Sequence, residues 1–266
     1  MYKISHLTSV HTRYDTRIFL KQCSSLAKGS NFKVNLIVAD NKPDEVKNNV
    51  SIQSIGSFKG RFDRLLNSNS RIFKKAMELN SDIYQLHDPE LIPVGLKLLK
   101  KGKKVIFDAH EDLPKQLKSK PYLNSILKMV LPLVAKIYES WACKKYTAIF
   151  SATPMITEKF KSINANSHTI NNFPILGELE SQTEWKNKLN EVSFVGGITE
   201  IRGVREFVKA FEYTGEVSLN LVGQFSNKAL EDEVKVLKGW SKANFLGFLS
   251  RIEVRDVLAR SKVGLV

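Results

Sequence analysis

The sequence predicts an α/β fold made of two doubly wound parallel sheets, the second of them incomplete. Short runs rich in Ile, Leu and Val alternate with longer segments of helical spacing, which is typical of parallel strands joined by covering helices. A polar stretch with Pro174 and Gly177 interrupts the alternation, which then begins again. The last apolar run, residues 262–266, ends the chain, so we expect only part of the second sheet to be present.

The first half contains the larger set of elements. Predicted strands are residues 3–7, 33–39, 50–55, 82–86, 104–109, 147–152 and 168–171. Predicted helices are residues 17–28, 61–79, 91–101 and 154–162, with a long helical region between the strands at 104–109 and 147–152. Together they predict a first domain at residues 1–172.

The polar stretch at residues 173–190 is interpreted as an interdomain linker, and residues 191–266 as a partial second domain. Predicted strands there are residues 191–195, 218–222, 243–246 and 262–266. Predicted helices are residues 204–212, 229–238 and 251–260.

Composition limits the class of protein. With 42% hydrophobic and 26% charged residues the chain is an ordinary globular one. The only cysteines, Cys23 and Cys143, lie far apart without a CxxC or Cys/His cluster, which favours reduced thiols in a cytoplasmic protein and no metal site. The N-terminus lacks a signal-peptide layout, and no run of about 18 apolar residues predicts a membrane span. We therefore expect a soluble or peripheral protein.

The net charge of +14 is concentrated in residues 97–145, where twelve lysines face four acids. Such a surplus attracts nucleic acid or an anionic membrane. The same region has apolar residues near helical period, as an interfacial helix would: Tyr122, Ile126, Leu127, Met129, Val130, Leu131, Leu133, Val134, Ile137 and Trp141. A helix that packs these residues on its own sheet explains them equally well, so both interpretations stay open. No nucleic-acid-binding motif accompanies the charge, and we expect no nucleic-acid partner.

Ligands of doubly wound sheets bind beyond the carboxyl ends of the strands. The polar residues that follow predicted strands there, able to bind hydroxyl-rich ligands or to move protons, are His11, Arg13, Asp15, His87, Asp88, His110 and Glu111. Asp88 and Asp112 have an alternative role as caps of the helices that follow. For His110, between Asp108 and Glu111 at a strand end, we favour a function.

In the second half, a glycine-rich turn joins a predicted strand to a helix. Its residues, with the glycine that ends the next strand, are Gly196, Gly197, Arg202, Gly203 and Gly223. Glycines let a ligand approach the backbone, a helix N-terminus favours an anion, and Arg202 is placed to pair with a diphosphate. The turn is neither a GxGxxG motif nor a P-loop, and a glycine pair before a helix is also common turn chemistry.

Together these motifs resemble the GT-B glycosyltransferases of family 4, especially the bacterial enzymes of O-antigen and capsule assembly. In the first half they are HTRYDTRI from His11, HDPEL from His87 and FDAHEDLP from Phe107. In the second half they are FVGGITEIRGV from Phe194 and NFLGFL from Asn244. The similarity covers essentially the whole chain and rests on their order and spacing.

The resemblance implies two Rossmann-like domains, with the acceptor held by the first, a nucleotide-sugar by the second, and transfer between them with retention and without a metal or other cofactor. His110 would lie near the transferred sugar and Arg202 at the donor phosphates. The arginine that usually precedes this position in the family is absent, since Ile198 follows the glycine pair. The family's glutamate pair and its returning helix would lie beyond residue 266, so we expect little or no activity from this chain alone.

The sequence therefore predicts a retaining glycosyltransferase of surface polysaccharide synthesis, acting on a glycan or lipid-linked acceptor. We expect it in the cytoplasm, peripheral to the inner face of the cytoplasmic membrane through residues 97–145. The alternatives are a non-catalytic remnant or accessory subunit that binds acceptor or membrane, and a sugar-nucleotide epimerase of the same architecture.

Overall fold

The computed structural model describes residues 1–118, 123–180 and 183–266, which form two compact units, Met1–Phe173 and Pro174–Val266. Tyr122 and Lys120 of the lysine-rich region lie outside the described residues, as do residues 181–182 of the predicted linker. Both units are α/β with mainly parallel sheets, so the predicted fold class is confirmed.

The first unit is built on an eight-stranded sheet. Its strands are β1 (Tyr2–Leu7), β2 (Phe32–Val38), β3 (Glu45–Lys47), β4 (Val50–Ser54), β5 (Ile83–Leu86), β6 (Lys104–Ala109), β7 (Ala148–Ser151) and β8 (Ser167–Thr169). Their spatial order is β3-β4-β2-β1-β5-β6-β7-β8, and every neighbouring pair is parallel except β3 with β4. The short strand β3 was not predicted, because three residues carry too little alternation to be recognised.

The helices of this unit lie between those strands. They are a π-helix (Thr16–Cys23), α1 (Ser24–Leu26), α2 (Arg61–Leu79), α3 (Ile92–Lys100), α4 (Leu113–Lys118), α5 (Ser125–Cys143) and α6 (Pro154–Lys161). Asp15 caps the π-helix by accepting hydrogen bonds from the amides of Arg17 and Ile18. Helix α2 ends at Asn80, whose left-handed backbone (φ 47°) stops the helix.

Two hydrophobic clusters hold the first unit together. The larger packs α2, α3, α6 and the end of α5 against the central strands, and includes Tyr84, Phe107 and Phe160. The smaller packs the π-helix against β2 and β4 through Ile18 and Phe19. Strands covered on both faces read as continuous apolar runs, which is why their bounds could be predicted to within two residues.

Helix α5 exposes its apolar side, whereas an ordinary surface helix buries it. Its buried residues are Pro132, Glu139, Ala142 and Cys143, whereas most of its large apolar side chains are exposed. Of the two interpretations left open above, the one in which this apolar side packs on the sheet is therefore wrong. Among the described residues, no helix has the length and apolar character needed to cross a membrane.

The second unit has a four-stranded parallel sheet in the order β11-β10-β9-β12. Its strands are β9 (Leu189–Val195), β10 (Ser218–Val222), β11 (Ala243–Gly247) and β12 (Ser261–Leu265). Its helices are α7 (Val204–Phe211), α8 (Lys228–Lys235) and α9 (Arg251–Arg260), the last begun by a capping box of Ser250 and Glu253. Phe194, Val208 and Leu221 belong to its core.

The strand orders locate the points where each sheet can bind a ligand. In the first sheet the chain leaves β1 toward β2 on one side and later returns to β5 on the other. In the second sheet β9 likewise lies between β10 and β12. Such reversals open a crevice at the carboxyl ends of the two strands. The residues to examine are those that follow β1, β5 and β6, and those that follow β9.

Candidate functional site

A buried carboxylate, Asp108, organises the carboxyl end of the first sheet. It is the fifth residue of β6 and its side chain is fully buried. Arg17 holds it with two hydrogen bonds, from Nη2 to Oδ1 at 2.6 Å and from Nε to Oδ2 at 3.1 Å. Gln22 donates a further bond to Oδ2 at 2.7 Å. Such a fully paired carboxylate is a rigid point from which neighbouring rings can be oriented.

Three histidines are connected to this carboxylate: His6 through His87, and His110 directly. The Nδ1 of His6 lies 2.9 Å from Nε2 of His87, and Nδ1 of His87 lies 3.2 Å from Oδ2 of Asp108. The Nε2 of His110 lies 3.3 Å from the same oxygen. Because an ionised carboxylate only accepts, the consistent tautomers place a proton on Nδ1 of His87 and on Nε2 of His110. His110 then keeps the lone pair of Nδ1 for another partner.

The protonation of this cluster is set by burial and by charge. Burial, and next the proximity of His87, lower the pKa of His6 to about 3. Burial also lowers the pKa of His87. Burial alone would raise the pKa of Asp108, but hydrogen bonds from the two neighbouring histidines and the guanidinium hold it well below its usual value. At neutral pH the cluster therefore holds neutral His6 and His87 rings against an ionised carboxylate.

Asp88 shapes the loop that follows β1. Its Oδ2 accepts hydrogen bonds from Thr8 Oγ1 at 2.9 Å and from the Ser9 amide at 2.6 Å. It makes no capping bond to the 3₁₀ turn that follows it, so the capping role considered for Asp88 is not observed. Glu90 supports the same loop by accepting from the Ser9 hydroxyl at 2.6 Å. The carboxylates after β5 thus fix the loop after β1.

His11 lies on this loop, and its ring centroid is 5.0 Å from that of His110. Its Nδ1 is 3.2 Å from Oδ2 of Asp15 and its Nε2 is 3.4 Å from Oδ1 of Asp88. The hydrogen bond to Asp15 is the main cause that raises the pKa of His11, against partial burial. Burial would raise the pKa of Asp15, but bonds from His11 and two amides lower it to about 2. The two carboxylates beside His11 thus favour the protonated form of its ring, in contrast to the buried His6 and His87.

The remaining predicted residues of this half lie elsewhere. Arg13 is buried and donates to Asp40 and Glu45 at 2.8–2.9 Å, so its guanidinium ties the loop to the β2–β3 connection. Glu111 is exposed and accepts from the Gln116 side chain. The structure thus brings together His11, Asp15, His87, Asp88 and His110, and directs Arg13 away from them.

The participants that were not among the predicted site residues include Asp108 itself, His6, Thr8, Arg17 and Gln22. His6 and Thr8 stand at the end of β1, a position that the strand-end rule already selects. Arg17 belongs to the same quoted motif as His11. Gln22 has no sequence signal, because its contact depends on the course of the π-helix.

Three of these groups have the spacing of a metal site. The ligand atoms of His87, Asp108 and His110 lie within 4.8 Å of one another. Imidazole and carboxylate would suit zinc. However, the guanidinium of Arg17 already neutralises the carboxylate and would repel a cation beside it. The expectation that no metal takes part stays a prediction.

The second unit presents a glycine-rich turn between β9 and α7. Gly196 (φ 153°) and Gly203 (φ 74°) adopt backbone angles that favour glycine. A Cβ on Gly223 would lie 1.8 Å from the carbonyl oxygen of Gly196, so only glycine allows the ends of β9 and β10 to approach this closely. In the described part of the chain the amide of Gly197 has no acceptor. This turn leaves an open surface of backbone donors.

Arg202 completes that surface. It is exposed at the N-terminal end of α7, and a Cβ on Gly196 would lie 2.9 Å from its Nη1. Over residues 1–118, 123–180 and 183–266, no acid pairs with Arg202, whereas its neighbour Arg205 is paired with Glu200 and Glu233. An unpaired guanidinium, a free amide and a helix N-terminus together make a suitable anion site.

Comparison by sequence gives no relative of this chain: no family model matches it, and no curated protein does. Solved structures do match. Sucrose-phosphate synthase from Thermosynechococcus elongatus has a TM-score of 0.73 at 10% identity, over 99% of this chain and 75% of that one. Anabaena HepE in complex with UDP-glucose has a TM-score of 0.70 at 12% identity, over 99% of this chain and 73% of that one. A glycosyltransferase from Rickettsia africae has a TM-score of 0.65 at 14% identity, over 99% of this chain and 72% of that one.

The chain has the GT-B fold. Identities this low show the fold alone. The fold class was predicted from the alternation of strands and helices, and the GT-B family from the order and spacing of the motifs.

Proposed function

We propose that this chain is a retaining glycosyltransferase of the family 4 type. It would move a sugar from a nucleotide-sugar to a glycan or lipid-linked acceptor in surface polysaccharide synthesis, such as that of O-antigen or capsule. The reaction would take place in the cytoplasm, at the inner face of the membrane, without a metal ion. The single observation that carries the proposal is the unpaired Arg202 over the glycine-rich turn.

The turn supplies what a departing nucleoside diphosphate needs. Breaking the bond between the sugar and the diphosphate develops negative charge on the phosphate oxygens. A guanidinium and backbone amides placed beside those oxygens stabilise that charge. In this role Arg202 would pair with the diphosphate, and Gly197 and Gly203 would let it approach the backbone. Gly196 and Gly223 hold the turn in its close approach to β10.

The histidine cluster would serve the acceptor and the transferred sugar. With its Nε2 proton directed to Asp108, His110 would offer Nδ1 to a sugar hydroxyl. The ring of His11 and the carboxylates of Asp15 and Asp88 add donors and acceptors suited to polyols. Arg13 and Glu111 are assigned to shaping the surrounding loops, in keeping with their contacts.

Donor binding is tested by calorimetry with UDP, other nucleoside diphosphates and a panel of nucleotide-sugars. We expect Arg202→Ala to weaken diphosphate binding roughly 10- to 100-fold, the value of one charge-assisted bond. Arg255→Ala removes a partly exposed arginine of the same unit that pairs with Asp256; it is the control and should leave affinity unchanged. Equal affinity of the Arg202 variant and the parent protein would count against the proposed donor site.

Transfer itself is tested by product analysis with the chelator EDTA present. A new glycosidic bond of unchanged anomeric configuration supports the proposal. Because little turnover is expected of this chain alone, the product is measured after long incubation at high enzyme concentration, where His110→Ala should lower its yield roughly 100-fold while donor affinity stays the same. His168→Ala, an exposed histidine outside the cluster, is the control. Nucleotide binding without transfer would favour a non-catalytic accessory subunit, and an isomerised free nucleotide-sugar would favour an epimerase.

A further inference from the structure

Helix α5 exposes a continuous apolar surface, which we name the α5 apolar face. Its large exposed side chains recur every three or four positions and so lie on one side of the helix. They are Ile126, Leu127, Met129, Val130, Leu133, Val134, Ile137, Tyr138 and Trp141. Met129 is 72% and Ile126 69% exposed. A contiguous apolar surface of this kind marks an interaction site.

The buried side of the helix explains why the apolar face points outward. Glu139 is 1% exposed, and its Oε2 lies 2.5 Å from Nζ of Lys159 on α6. The same ammonium lies 3.0 Å from Oδ1 of Asp112. Turning the helix to bury its apolar face would separate this buried ion pair, which costs several kcal/mol. The outward orientation is therefore fixed by contacts within the first unit.

The charge around the α5 apolar face identifies its partner. Residues 113–118 and 123–145 contain six lysines: Lys115, Lys118, Lys128, Lys136, Lys144 and Lys145. Glu139 is the only acid there, and it is buried. A second copy of this chain would bring lysines against lysines. An anionic lipid surface would instead neutralise them and accept the apolar side chains.

Aromatic residues at one end of the face fit the same partner. Trp141 is half exposed and stacks with Tyr138 at 6.0 Å between ring centroids. The ammonium of Lys145 lies 3.5 Å from the centroid of Trp141. Amphipathic rings beside lysines are typical of the headgroup level of a bilayer.

We propose that α5 is an interfacial membrane anchor, lying in the plane of an anionic bilayer with its apolar face in the lipid and its lysines at the headgroups. The proposal does not depend on transferase activity. Helix α4 packs beside α5, and its Lys115 and Lys118 are exposed.

Binding is tested with the whole chain by co-sedimentation with two kinds of vesicle, pure phosphatidylcholine and phosphatidylcholine with about one third phosphatidylglycerol. We expect clear binding to the anionic vesicles, weak binding to the neutral ones, and release as salt rises to about 1 M. In a variant with Trp185→Phe and Trp240→Phe, the emission of Trp141 should shift to the blue on binding.

Two variants separate apolar insertion from charge. The combined variant Met129→Gln, Leu133→Gln and Ile137→Gln removes apolar surface without changing the net charge, and it should weaken binding to anionic vesicles at least a hundredfold. Lys136→Glu alone should weaken it at least fivefold. All four positions are exposed, so the fold should be retained, as circular dichroism would report.

Matched controls come from α2, which also carries exposed residues. Leu66 is 79% exposed and Lys74 is exposed, and neither Leu66→Gln nor Lys74→Glu should change vesicle binding. The proposal is overturned if these controls weaken binding as much as the α5 variants, if vesicles are not bound, or if neutral vesicles bind equally well. A stable dimer in lipid-free solution that the triple variant dissociates would also overturn it, in favour of a second copy.

Discussion

Acid should destabilise the first unit well before its carboxylates are protonated, because His6 is held neutral. Its pKa is about 3 in the folded protein, against an ordinary value of 6.5. Between these values the unfolded chain binds the proton and the folded chain does not, so the free energy of unfolding falls as pH falls. At pH 5 this loss is about 2 kcal/mol, since each pH unit below 6.5 is worth about 1.4 kcal/mol. His87, whose pKa is also lowered, adds to it.

Urea unfolding at pH 7, 6 and 5 measures this loss, with Trp141 as the reporter of the first unit after Trp185→Phe and Trp240→Phe. His6→Gln cannot titrate and should remove about 2 kcal/mol of the pH dependence. His168→Gln, at an exposed position, is the matched control and should retain it. The raised pKa of His11 acts in the opposite direction and is common to all variants, so the comparison between them is decisive. An unchanged slope in the His6 variant would refute the assignment of a buried neutral imidazole.

Three further changes have defined outcomes. Asp108→Asn leaves the buried guanidinium of Arg17 without its counter-charge and should cost about 3–5 kcal/mol, seen by calorimetry as a Tm lowered by ~10 °C; an unchanged Tm would contradict the pairing. Gly223→Ala would place a methyl group against the backbone of the β9 turn and should weaken UDP binding more than tenfold, whereas Gly215→Ala, with open space around it, should not; equal affinities would argue against a role for the close approach. Burial raises the pKa of both cysteine thiols, so a thiol reagent should modify them only at the rate of unfolding, and rapid reaction of the native protein would contradict their burial.

Much of the fold was predictable because local pattern and final structure agree. The bounds of helix Arg61–Leu79 and strand Lys104–Ala109 are those the sequence predicted, since hydrophobic period and flanking glycines both define them. Strand β3 escaped because its pairing with β4 is antiparallel and only three residues long. Hydrophobic periodicity therefore predicts only those helices and strands that are long enough for the pattern to repeat.

The site was predictable only as far as position along a strand implies proximity. Strand ends identified His87 and His110, since parallel strands bring their carboxyl ends together. The hydrogen-bond partner of a side chain depends on the tertiary structure. Arg13 and Arg17 belong to one motif, yet Arg13 donates to Asp40 and Arg17 donates to Asp108. For α5 the spacing of apolar residues predicted a helix with one apolar side. It could not predict whether that side is buried or exposed, because a helix packed on a core and a helix lying on lipid have the same pattern.

The π-helix has a consequence for which changes in chain length this protein tolerates. Arg17 and Gln22 both reach Oδ2 of Asp108 although they are five residues apart. In a regular α-helix such positions point roughly 140° apart, whereas the wider i→i+5 turn returns them to nearly the same side. Deleting one residue from Thr16–Cys23 would restore the α period and part the two donors, even with every side chain kept. A deletion scan should therefore find this segment intolerant of length change.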